Sequence, residues 1–177
     1  MDFKEWFLLE AKKEHSFSST QIDFDANDSK KILSWSYRNI PQGKLVHNDN
    51  AEGRETNIHV TVLYGLHATT PETIKKAATK IKPFHIKLGK ISKFEAAGYD
   101  VIKIEIISSD LMKANKIMAK LSHTNKYKDY SPHCTIAYVK KGSCDHLLGK
   151  EVFKGLTIPV KSITFSSKTR VKTKLPL

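Results

Sequence analysis

Two short segments of the 177-residue chain carry matching side chains in the same order, HVTVLYG at 59–65 and HCTIAYV at 133–139. Each reads His, one apolar residue, Thr, two apolar residues, then Tyr. In a β-strand residues i and i+2 point to one face. His59 therefore projects with Thr61, and His133 with Thr135, while Val60, Val62, Cys134 and Ile136 turn to the opposite face. An imidazole titrates near neutral pH, so of two brought together one accepts a proton while the other donates one. Threonine hydroxyls donate hydrogen bonds to non-bridging phosphate oxygens and help hold the charge that develops there. Four such residues around one groove suit phosphodiester cleavage, with one His deprotonating the attacking oxygen and the other protonating the leaving oxygen. No metal or cofactor is needed in principle. A single His-x-Thr on a strand is commonplace; its repetition, with Tyr at the same offset, is what argues for chemistry.

The elements that must position these pairs can be read from apolar periodicity. Ile22 and Phe24 alternate in a first strand, and Asp25, Asn27 or Asp28 caps a helix over 28–39 that ends before Pro41. A long polar loop runs from Gln42 to Asn57, a length that in a compact domain often serves function. After the first motif strand, Pro71 and Glu72 open a helix over 71–81. FHIKLGKISKFEA and YDVIKIEII form two strands with a turn near Ala97–Gly98, and Ser109 or Asp110 caps a helix over 110–122. The second motif strand, a short helix around 145–152 and strands near 156–166 and 169–175 complete the order. Two halves share one grammar of strand, helix and His-bearing strand. The expected fold is α+β, bilobal, with two mostly antiparallel sheets flanked by helices around a central cleft with pseudo-twofold symmetry. Phe3, Trp6, Phe7 and Leu9 make residues 1–15 a helical extension on a single domain of 16–177.

Other residues can serve the same groove. Arg54, in the polar loop, can clamp a phosphate through its guanidinium, the alternative being a solvated surface Arg. Lys140 and Lys141 follow the second motif and can line the groove mouth, or simply end a strand. Phe94 and Tyr99 flank a hairpin turn and can offer an aromatic platform for a base, or pack. Tyr64 and Tyr138 fall on the face opposite their His in a regular strand, unless a bulge intervenes. Cys134 reads as a small core residue rather than a nucleophile.

Thirty Lys and Arg against eighteen Asp and Glu give a formal charge of +12, which attracts polyanions. Two cysteines outside any metal-ligand pairing, an N-terminal apolar run too short for a signal-peptide core, and no stretch long enough to span a bilayer lead us to expect a reduced, cytoplasmic protein with no membrane partner. The two triplets, HVT at 59–61 and HCT at 133–135, make the chain resemble the 2H phosphoesterase superfamily over most of residues 18–166. The resemblance implies a metal-independent phosphodiesterase or RNA-processing enzyme with those four residues around the scissile phosphate. The stretch GRETNIHVTVLYGLH is similar to phage anti-CBASS enzymes, which cleave the cyclic nucleotide messengers of bacterial immunity. It implies a cyclic or short oligonucleotide substrate and, for a phage protein, the host cytoplasm. Two alternatives stay open: RNA-end processing (2′,3′-cyclic phosphodiesterase or 2′-5′ RNA ligase-like) and a non-catalytic nucleic-acid-binding module.

Overall fold

Alternating apolar residues give each strand one buried stripe, and those stripes meet in two antiparallel sheets. The computed structural model describes residues 15–48, 51–125 and 129–177. In order come β1 (Ser18–Asp23), α1 (Ala26–Asn39), the short strands β2 (His47–Asn48) and β3 (Ala51–Glu52), β4 (His59–Leu66) and α2 (Glu72–Ala78). Then follow β5 (Phe84–Glu95), β6 (Asp100–Ile107), α3 (Ser109–Met118), β7 (His133–Val139), β8 (Thr157–Val160), β9 (Ser162–Ser166) and β10 (Lys172–Pro176). One sheet has the order β10-β9-β1-β4 and the other β7-β6-β5-β8. Within each, a strand, a helix and an antiparallel motif strand recur, as β1-α1-β4 and as β6-α3-β7. Both motif strands sit at the edge of their sheet and pack against each other. Val60 and Val62, Cys134 and Ile136, Ile102 and Ile104, Ile32 of α1 and Leu111 of α3 belong to one apolar cluster, so the two halves share a core. The fold is the expected α+β arrangement with pseudo-twofold symmetry.

Local chemistry fixes the helix ends. The Asp25 carboxylate accepts from the Asp28 N–H at 2.8 Å to start α1. The cap of α3 is Ser108, one residue before the expected Ser109, its Oγ accepting from the Leu111 N–H at 3.2 Å. The strand expected over 156–166 is divided at Lys161: β8 pairs with β5 and β9 with β1, so the chain changes sheets there. Pro159, which offers no N–H to a ladder, is tolerated because β8 is an edge strand. The helix expected around 145–152 is a single 3-10 turn, Asp145–Leu147. Apart from His15, the expected N-terminal helical extension lies outside the described residues.

An edge strand exposes unpaired N–H and C=O groups. Here each motif strand is strapped by the segment that comes after the other half's helix. After α1, the polar loop runs along β7: Val46 N–H donates to Tyr138 O (3.0 Å), Tyr138 N–H to Gly53 O (2.7 Å) and Glu55 N–H to Ile136 O (2.9 Å). From α3 and the segment after it, Asn115 Nδ2 donates to Val62 O (2.7 Å), Tyr130 Oη to Thr61 O (2.8 Å) and Thr124 N–H to Gly65 O (2.8 Å). That last contact requires Gly65, whose φ is +89° and whose Cβ would fall 1.9 Å from the Thr124 carbonyl oxygen.

Candidate active site

On β4 the burial alternates as the spacing predicts, with His59 and Thr61 half-buried and Val60 and Val62 buried. On β7 His133 and Thr135 are half-buried and Cys134 and Ile136 buried. The alternation then breaks in both strands at the same place. Gln21 lies opposite Thr61 and Thr20 opposite Leu63, which leaves Val62 as an extra residue. Lys103 lies opposite Thr135 and Ile102 opposite Ala137, which leaves Ile136 extra. Each motif strand therefore carries a β-bulge directly after its Thr. One added residue reverses the in–out phase of the rest of the strand. Leu63 and Ala137 turn into the core, and Tyr64 and Tyr138 come round to the His and Thr face, Tyr64 being 45% exposed. The opposite-face expectation for these tyrosines holds only for a regular strand, and neither strand is regular.

Each imidazole is held in the same way. His59 Nδ1 lies 2.6 Å from the Asn57 carbonyl oxygen and His133 Nδ1 lies 2.7 Å from that of Ser131. A carbonyl oxygen only accepts, so both Nδ1 atoms carry the proton and both Nε2 atoms are left as the acid–base positions. The Asn57 side-chain amide, at 3.3 Å from the same His59 nitrogen, is the weaker neighbour. Burial lowers the His133 pKa; the Ser131 carbonyl opposes this, while the charges of Lys103 and His59 add to it, and the net shift is downward. β4 and β7 pack against each other, and His59 is among the groups that lower the His133 pKa. Burial pushes the Cys134 thiol up to about 12, which suits a core residue and not a nucleophile.

The cross-strand neighbours extend the repeat and then break it. An acidic residue faces each His, Asp23 opposite His59 and Glu105 opposite His133, and a longer polar residue faces each Thr, Gln21 on one side and Lys103 on the other. Asp23 accepts from Gln21 Nε2 and from Lys172 Nζ at 2.9 Å. Burial raises its pKa, but the bonds from Lys172, Thr164 and Gln21 outweigh this and hold the carboxyl below its usual range. Lys103 is 5% exposed, donates to Ser92 Oγ at 2.8 Å and stands 4.3 Å over the Phe94 ring. Phe94 in turn meets the His133 ring edge-on at 4.8 Å. Tyr99 lies against Tyr138 at 5.8 Å.

Phe94 and Tyr99 are thus brought to the motif face of the second half, whereas Arg54 and Lys140 are not brought to the motif pairs. Arg54 is buried, with Nη1 bonded to Ser36 Oγ and Nη2 to the Ile40 carbonyl oxygen, and it rests on the Tyr37 ring at 4.3 Å. Its guanidinium fastens the strap to the end of α1. Lys140 lies past the far end of β7, about 23 Å of extended chain from His133, where its N–H bonds the Lys44 carbonyl. Gln21, Asp23, Asn115, Tyr130 and Lys103 had no signal in the motif; alternation gives Lys103 the parity of Tyr99 but does not reveal its partner strand.

Two His-x-Thr strands, edge beside edge at the junction of two antiparallel sheets, define the 2H phosphoesterase fold. Solved structures share it over nearly the whole chain. E. coli LigT complexed with 3′-AMP aligns with a TM-score of 0.64 and 14% identity over 91% of this chain and 94% of that one. Kluyveromyces marxianus Usb1 gives 0.63 and 11% over 93% and 99%, and TT0787 of Thermus thermophilus gives 0.61 and 14% over 90% and 94%. The chain belongs to the anti-CBASS protein Acb1 family, whose model matches residues 18–160. No curated protein matches it. Among the described residues no helix is long and apolar enough to cross a membrane.

Proposed function

We propose that this protein is a metal-independent phosphodiesterase that opens cyclic oligonucleotide messengers by acid–base catalysis between His59 and His133. The observation that carries the reading is the matched tethering of the two imidazoles, each with Nδ1–H given to the carbonyl two residues back and Nε2 left for proton transfer. His133, whose pKa burial lowers, is assigned as the base and His59 as the acid. His133 Nε2 takes the proton of a ribose hydroxyl or a water as that oxygen bonds to phosphorus. The phosphorus–oxygen bond to the leaving group breaks, and His59 Nε2 supplies the proton to the departing oxygen. Thr61 and Thr135 donate to the non-bridging oxygens, where negative charge builds up. Family membership favours a cyclic nucleotide of an immune signal over an RNA end. LigT with 3′-AMP and Usb1 with uridine monophosphate are nucleotide complexes on the same fold, in keeping with a nucleotide substrate.

The test is turnover of a panel of cyclic di- and trinucleotides and linear RNA ends in excess EDTA, beside His59→Ala and His133→Ala. Cleavage of a cyclic member, undiminished by chelator and lost in both variants, is expected. Action confined to linear ends or 2′,3′-cyclic phosphates would transfer the protein to RNA processing. Turnover that survives both substitutions would leave only a binding role.

A further inference from the structure

The pseudo-twofold repeat fails most plainly in charge. Opposite Thr61 stands the neutral amide of Gln21, bonded to Asp23, whereas opposite Thr135 stands the ammonium of Lys103. A buried ammonium without a counter-charge is unfavourable unless something else meets its three N–H groups. Among the described residues no carboxylate lies within ion-pair distance of Lys103. Ser92 Oγ accepts one N–H, and the Phe94 ring faces the ammonium as a second, weaker partner. One donor and most of a positive charge stay uncommitted on the face that carries Thr135 and His133. Desolvation accordingly lowers the Lys103 pKa, with Glu105 pulling it up and Lys90 pushing it down.

We propose that Lys103 is a phosphate-binding residue of the cleft, holding a non-bridging oxygen of the substrate on the His133 side. The assignment rests on reading the motif face as a phosphate site, and goes beyond it by giving that site a direction. A phosphodiester with one non-bridging oxygen on Lys103 and Thr135 and the other on Thr61 is more strongly held on the His133 side than on the His59 side. Phe94 touches both the Lys103 ammonium and the His133 ring, so the cation and the imidazole share one wall of the cleft, and Lys103 is largely kept out of bulk water.

The experiment is a titration of inorganic phosphate into wild type, Lys103→Met and Lys103→Arg, followed by the NMR signals of the His133 and His59 rings. Wild type is expected to show both rings responding together. Lys103→Met is expected to bind phosphate on the order of 10- to 100-fold more weakly, as for loss of a charged hydrogen bond, with melting temperature equal to or above wild type because a buried charge is removed. Lys103→Arg restores part of the affinity. If Lys103→Met does not fold, Lys103→Gln, which keeps a donor for Ser92 without the charge, takes its place. Wild-type phosphate affinity in either folded neutral variant overturns the assignment while leaving the acid–base reading intact. Absence of any ring response in wild type overturns both.

Discussion

A base is useful only while it is neutral, and the environment of His133 widens that range. Phe94 packs on the ring and Glu105 stands opposite it, and burial, with Lys103 and His59 adding to it, lowers its pKa from the usual imidazole value. A lowered pKa keeps the imidazole unprotonated down to more acidic pH. The acid-side limb of kcat/KM is therefore expected below about 6.5, the ordinary histidine value, when turnover is followed against pH. A limb above that value would show that His133 is not the base. Thr61→Ala and Thr135→Ala are each expected to lower kcat on the order of 10²-fold with smaller changes in KM, since a donor aimed at developing charge acts mainly in the transition state. The four residues were readable from the sequence because strand alternation alone puts an i, i+2 pair on one face. Lys103 was not, since its importance arises from a cross-strand partner, and pairing register is not written in spacing.

Among the elements, the bulges after Thr61 and Thr135 decide what surrounds the motif. An extra residue appears only when a strand is laid against its neighbour, so the five-residue offset of Tyr64 and Tyr138 pointed to the wrong face. The straps were hidden for a related reason. The loop from Gln42 to Asn57 is polar and lacks periodicity, yet it is tied to β7 through main-chain bonds that any residue can make. Its anchor, Arg54, finds Ser36 in the last turn of α1 and Ile40 at its C-cap, partners that a helical pattern does not announce. Arg54→Ala should consequently cost about 2–3 kcal/mol of stability in urea unfolding, because the buried Ser36 hydroxyl and Ile40 carbonyl lose their partner. KM of the folded fraction should hardly change. A large rise in KM at unchanged stability would restore Arg54 to the substrate.

Across the whole molecule, the two halves are bound by a common core and by straps that cross from one to the other. The alternation of β1, β4, β6 and β7 and the caps at Asp25 and near Ser109 were enough to read the repeated grammar and the α+β class. The exchange of sheets at Lys161 was not, because the apolar parity changes there, from Ile158 and Val160 to Ile163 and Phe165, without saying which sheet each part joins. Gly65→Ala tests the crossing directly: a Cβ at positive φ, driven into the Thr124 carbonyl, is expected to destabilise the protein by about 2 kcal/mol or more and to loosen β4 beneath His59. A melting temperature equal to wild type would mean that the strap is not needed. Joining the halves matters only if their imidazoles act on one phosphate, and kcat/KM of wild type, His59→Ala, His133→Ala and the double variant measures that most directly. Groups that work as a unit are not additive, so each single change should remove nearly all turnover and the double variant should be hardly worse than either. A single variant that keeps wild-type turnover, or losses that multiply as independent factors, would contradict a shared acid–base site.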